Sequence, residues 1–200
     1  VEITAAVVKE LRERTGAGMM DCKEALKATG GDMQKAIDLL RQKGIATAAK
    51  RAGREASEGL VHAYIHPGGK IGVLIEVNCE SDFVARSEAF LELVKNLAMQ
   101  VAAASPLCLR PEDVPSEVLA KEREIYAAQA REEGKPEKIL DKIVEGRVKK
   151  YYGQVCLLEQ PYVRDDKLSV QDLLNETIGK IGEKIVVRRF ARYQLGEKAA

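Results

Sequence analysis

The chain has 200 residues, enough for one mid-sized domain or a small domain joined to a larger one. Its 46% apolar and 32% charged residues are ordinary for a soluble globular protein, and a formal net charge of +1 excludes a global field drawing it onto nucleic acid or membrane. No apolar run approaches the roughly 20 residues that span a bilayer, and no basic-then-apolar signal segment opens the sequence. The four cysteines, Cys22, Cys79, Cys108 and Cys156, lie far apart without a C-x-x-C pair, which gives a zinc site or redox pair little support. Scattered buried thiols in a reducing compartment are the expectation, and with them a cytoplasmic protein.

Residues 1–44 predict three short helices. Thr4 caps the first, whose apolar face is Val7, Val8 and Leu11, and Gly16 stops it. The second opens with Asp21 and Glu24 at capping-box spacing and buries Cys22, Ala25 and Leu26. Gly30-Gly31 breaks it. Asp32 caps the third, which sets Ala36, Ile37 and Leu40 on one face and ends before Gly44. A bundle of about 40 residues buries little surface alone, and compact units of this kind serve to present a surface. Thr15 to Met20, between the first two helices, holds two glycines and the adjacent Met19 and Met20. Both methionines cannot face so small a core. Either one packs inward and the other is incidental, or the pair offers an adaptable apolar contact.

Residues 45–56 predict an Ala-rich linker helix carrying Lys50, Arg51 and Arg54. Leu60–Ile65 and Ile71–Val77 then read as strands of a hairpin around Pro67-Gly68-Gly69-Lys70. His62 and His66 share a face of the first strand and lack a third ligand at a recognisable spacing, so solvent-facing histidines are expected. The stretch Glu76 to Arg86, E-V-N-C-E-S-D-F-V-A-R, ends that hairpin and leads into a long helical pattern. It places Phe83, one of three phenylalanines, directly after Asp82 in a connection, and connections carry function more often than the elements they join. The local alternative is that Asp82 caps the next helix and Phe83 packs beside it as an apolar staple.

A helix follows from Ser87 to about Ala104 with Phe90, Val94, Leu97 and Val101 on one face. Two charged helices come next, Ser116–Glu133 and one from near Pro136 to about Tyr152. Cys156–Val163 reads as extended, Arg164–Lys167 as a turn, and Ser169 caps a helix through Leu173, Leu174 and Ile178. Lys184–Leu195 is the last strand, with Ile185, Val187, Ala191 and Tyr193 on one face and Val186 and Phe190 on the other.

The sum is an α+β chain: a three-helix module (1–44), a basic linker helix (45–56), and a core (57–200) of a three-stranded antiparallel sheet packed with helices. Apolar residues on both faces of that sheet leave one face or edge for a partner or a second copy. No P-loop, G-x-G-x-x-G after a strand, H-E-x-x-H or G-x-S-x-G occurs, and no nucleophile-base pair can be assembled, so an enzyme or a direct nucleotide binder is the weaker reading. No cofactor, metal or membrane contact is expected. An RNA-binding alternative would use Lys50, Arg51 and Arg54 with Arg188, Arg189 and Arg192, but no aromatic residues interleave with the first cluster to stack bases. A generic helical adaptor is the other alternative.

Three stretches carry a resemblance. L-R-E-R-T-G-A-G-M-M-D-C-K-E-A-L (Leu11 to Leu26) resembles the amino-terminal motif of the translation elongation factor Ts family. Glu76 to Arg86 resembles its second motif, with Ser81 where Thr is usual, and V-V-R-R-F-A-R-Y-Q-L-G-E (Val186 to Glu197) is similar to its ending. The core reads as single, whereas many members carry a second, related half and an inserted coiled coil. The resemblance implies a ubiquitin-associated-like helical module and a nucleotide exchange factor for the GTPase elongation factor Tu. It further implies that Arg12, Met19 and Met20 match family positions at the GTPase contact. Ser81, Asp82, Phe83 and Val84 match the loop that dislodges the partner's magnesium. A short single-core form suggests a homodimer in which a second copy supplies the absent half.

Overall fold

The computed structural model describes residues 3–197, so residues 1–2 of the predicted module and 198–200 of the predicted core lie outside the described residues. The fold class is as expected: mixed helix and strand, with an N-terminal helical module and a three-stranded sheet. That sheet runs in the order β1 (Glu58–Ile65), β2 (Ile71–Cys79), β5 (Ile185–Gln194). The chain divides into two compact units. One holds the residues up to His62 with Ile75–Asn96 and Asp172–Arg188; the other holds Ala63–Leu74, Leu97–Gln171 and the residues from Arg189 onward.

In the first unit, α1 (Ala5–Thr15) begins where the Thr4 hydroxyl accepts from the Val7 N–H and ends at Gly16, whose φ of 65° only glycine adopts without strain. α2 (Met19–Ala28) starts two residues before the predicted capping box. Gly18 is its N-cap, without a side-chain bond, and Asp21 lies in the first turn. α3 (Met33–Arg51) is capped by Asp32, which accepts from Lys35 N–H at 3.0 Å. Val8, Leu11, Cys22, Ala25, Leu26 and Ala36 close a core between these helices, with Ile37 and Leu40 partly buried against it.

The predicted stop at Gly44 is wrong. α3 runs through it to Arg51, so the linker helix is the end of the third helix rather than a separate element. Gly44 is there for close approach: a Cβ would stand 3.0 Å from the Asn175 carbonyl oxygen of α8 (Val170–Ile181). A Cβ on Gly179 of α8 would likewise meet the Gly44 Cα at 3.0 Å. Arg41 meets Asp172 at 2.5 Å along the same crossing. In β2, Val73, Ile75, Val77 and Cys79 are buried in strict alternation, the period of a half-buried strand. Gly59 of β1 has φ 137°, and a Cβ there would be 2.2 Å from the Val77 carbonyl oxygen.

α5 (Glu88–Ala104) buries Phe90, Val94, Leu97 and Val101 as predicted. In the second unit, α6 (Ser116–Glu132) and α7 (Glu137–Val155) pack on each other as an antiparallel hairpin. Arg123 bridges to Glu145 at 2.6 Å and Arg147 to Glu133 at 2.7 Å. Two further expectations fail here. Arg164–Lys167 is not simply a turn: Asp165–Ser169 is a strand, β4, pairing antiparallel with β3 (Pro161–Tyr162). The cysteines are not all scattered either, since Cys108 and Cys156 bring their sulfurs to 3.6 Å across a single parallel bridge. Burial, and next the Cys108 thiol, push the Cys156 thiol up to about 12, so it stays protonated and unreactive at neutral pH.

The buried amides of Gln100 and Gln160 join there at 3.1 Å, and Gln160 also donates to the Ala104 and Gln154 carbonyls. Among the described residues, those lining a cleft of about 480 Å³ beside Gln160 and Tyr162 include one acid, Asp166, and neither histidine nor cysteine.

Candidate functional site

The Glu76–Arg86 stretch folds as the last residues of β2, a turn, and a single helical turn, α4 (Asp82–Ala85). Ser81, not Asp82, is the cap: its hydroxyl accepts from the Val84 N–H at 3.3 Å. Asp82 instead pairs with Arg86, one turn on, at the surface. Phe83 is 78% exposed, so the local staple is overturned. Val84 and Ala85 on the opposite side of the turn are buried and hold it down. Burying Val84 while exposing the larger Phe83 inverts what the hydrophobic effect alone would choose.

Two carboxylates fix this turn. Glu183, between α8 and β5, accepts from Ser81 Oγ at 2.7 Å, Ser81 N–H at 3.0 Å and Glu80 N–H at 3.2 Å. Glu80 in turn accepts from Lys184 N–H at 2.6 Å and pairs with Arg51 at 3.1 Å and Arg54 at 3.0 Å. Lys184 Nζ closes the end of α3 by donating to the Ala52 and Arg54 carbonyls, each at 2.7 Å. Cys79 donates its S–H to the Ser81 carbonyl at 3.2 Å, and burial raises its pKa.

The Lys184 N–H and then the two guanidiniums hold the Glu80 carboxyl down at about 2. Its folded value lies below the ordinary carboxylate value of 4.5, so its stabilisation is complete above that and is lost as pH falls towards 2. Acid unfolding of Glu80→Gln beside wild type should show it: the variant is less stable at neutral pH, and the two curves converge as pH drops through that window. A gap unchanged down to pH 2 would contradict the assignment.

At the helical module, Arg12 lies exposed in the last turn of α1, whose ion pairs join Lys9 to Glu13 and Glu10 to Arg14. Met19 and Met20 open α2 and are 45% and 66% exposed, so neither packs into the core. His62 is half-buried, while His66 is exposed against the Tyr64 hydroxyl at 3.1 Å. Among the described residues no three ligating side chains gather for a metal. Of the RNA-binding alternative's cations, Arg51 and Arg54 are engaged with Glu80, and Arg192 with Glu197 and Gln194.

Sequence reasoning missed Glu80 and Glu183. Glu80 lies inside the motif it singled out, but its partners come from the end of α3 and from a turn 104 residues further on. No local pattern encodes such a pairing.

An α+β chain with an N-terminal helical module and a capped turn exposing its aromatic defines a class narrow enough to compare. The family model for elongation factor TS matches residues 6–197. The elongation factor Ts of Moorella thermoacetica is 68% identical over 195 residues, 98% of this chain and 96% of that protein. That of Syntrophobacter fumaroxidans is 63% identical over 198 residues, 99% of each. That of a Thermoanaerobacter species is 64% identical over 195 residues, 98% of this chain and 96% of that protein. The chain belongs to the elongation factor Ts family.

Proposed function

We propose that this protein is a guanine nucleotide exchange factor for the GTPase elongation factor Tu in translation elongation, acting in the cytoplasm without a covalent step or a cofactor. The helical module, residues 1–44, docks on the GTPase through Arg12, Met19 and Met20. The core, 57–200, carries the loop Ser81–Val84, which presses Asp82 and Phe83 beside the switch region and displaces magnesium. Residues 45–56, the end of α3 and its exit, connect the two. The chain itself binds no nucleotide, nucleic acid or membrane.

The observation that carries the reading is the exposed Phe83 on a turn pinned from behind. An unburied ring on a fixed mount is primed to be buried elsewhere. Burying it provides roughly 1.5–3 kcal/mol, enough to bias a two-state switch about tenfold or more. Magnesium is the largest local charge holding the GDP phosphates, so displacing it loosens the nucleotide. Stopped-flow release of labelled GDP from elongation factor Tu should accelerate when this protein is added. An unchanged rate at saturating protein would refute the reading.

We further propose a homodimer. Support comes from exposed apolar side chains on the sheet: Ile65 (65% exposed, its Cδ1 over Gly72), Leu74 (49%) and Tyr193 (74%). Closed symmetric pairing is the commonest assembly, and it would cover such exposed apolar side chains. Light scattering at micromolar concentration should give twice the chain mass, and a monomeric mass would contradict this.

A further inference from the structure

The two carboxylates behind the loop have no role in the reading above. We propose that Glu183 and Glu80 are positioning residues: as a reciprocal pair they fix the turn bearing Phe83 relative to the helical module, so that docking delivers a mounted ring rather than a mobile loop. This rests on the exchange reading, and its test separates the two.

The reciprocity is in the bonding. Glu183 takes the N–H of Glu80, and Glu80 takes the N–H of Lys184, so each carboxylate binds the backbone beside the other. Backbone donors satisfied in this way differ from exposed ion pairs, whose net contribution is small. The Ser81 hydroxyl is a relay, donating to Glu183 while accepting from Val84 N–H. Glu183 therefore orients the cap itself. α4 has only 4 residues, far too few for a helix to hold its own direction.

The same cluster reaches the module. Glu80 binds Arg51 and Arg54 at the end of α3, and Lys184 Nζ binds the carbonyls just beyond. The other half of α3 contributes Ala36 to the core it shares with α1 and α2. Module, α3, carboxylates and loop form a continuous mechanical path inside a single compact unit.

In the intact protein, Glu183→Gln keeps the shape but removes the charge and turns one acceptor into a donor. The maximal rate of labelled GDP release from elongation factor Tu should fall about tenfold or more. The half-saturating concentration should move by less than about threefold, because the module's own contacts remain. Ser81→Ala should show the same split, and the Glu183→Gln/Ser81→Ala double variant should be no worse than the worse single change. If Glu183→Gln fails to fold, Ser81→Ala reads the same cluster, because it removes the hydroxyl that donates to Glu183.

Amide hydrogen exchange on the free protein needs no GTPase. The Glu80 and Ser81 amides should exchange slowly in wild type and much faster in Glu183→Gln, with those of α1 and α2 unchanged. If wild type does not accelerate GDP release from the GTPase, the exchange reading fails and the amide measurement alone judges the positioning role. If wild type accelerates GDP release and Glu183→Gln matches it, or the two amides are equally protected in both proteins, the positioning role is overturned.

Discussion

Phe83→Ala should slow stimulated GDP release from elongation factor Tu by about 30-fold to 1,000-fold, the rate equivalent of the roughly 2–4 kcal/mol that truncating a buried anchor costs. The ring is 78% exposed in the free protein, so its removal leaves no cavity and the variant should fold with unchanged stability. That separates it from core substitutions, whose loss of activity follows loss of structure. The effect should fall on the maximal rate more than on affinity, since the proposed contacts through Met19, Met20 and Arg12 are untouched. Rapid-mixing measurements over a range of protein concentrations resolve the two quantities. Equal release rates for variant and wild type would remove Phe83 from the mechanism.

The second large effect concerns stability. Gly59→Ala should destabilise the chain by about 3 kcal/mol or more, combining a strained backbone with overpacking. At φ 137° an L side chain is strained whatever the space, and here a Cβ would also lie 2.2 Å from the Val77 carbonyl oxygen, so β1 must move off β2. For a chain of this length the thermal midpoint should drop by about 6–12 °C. Val77 is two residues before Cys79, where β2 ends and the proposed exchange loop follows, so exchange activity should fall with stability. A midpoint within about 1 °C of wild type would show that the strands tolerate the change.

What the sequence made legible follows the range of the interactions. Thr4, Gly16 and Asp32 act through bonds to residues within one turn, and each does what its position predicts. The apolar period of α5 and the alternation of β2 are local too. Gly44 misled because the same residue type serves two purposes. It ends helices by adopting positive φ, and it lets helices touch by lacking a Cβ. Only knowledge of α8 separates the two.

The last strand lies where expected, Ile185–Gln194 against the predicted Lys184–Leu195. Burial along its predicted face is uneven: Ile185 and Val187 are buried, whereas Tyr193 is exposed. Strands two to five residues long, such as β3 and β4, carry too few positions to show a period. The Gln100–Gln160 pair and the Cys108–Cys156 contact span 60 and 48 residues, beyond any pattern in a single sequence.

At the site, the loop was visible because it sets Asp82 and Phe83 side by side in a connection, and the family motif added Ser81 and Val84. Its direction was not visible. The outward Phe83 goes with Ser81 rather than Asp82 as the cap, and the Ser81 hydroxyl is bonded to Glu183, 102 residues away.

Affinity of the protein for elongation factor Tu, measured with the GTPase empty and again with GDP and magnesium bound, bears most directly on whether it prises nucleotide loose. By linkage, GDP must weaken the protein's binding by the same factor by which the protein weakens GDP binding. The account predicts much tighter binding to the empty GTPase, with the two factors equal. Identical affinity for both forms would contradict it, because a ligand that does not distinguish two states cannot shift their balance.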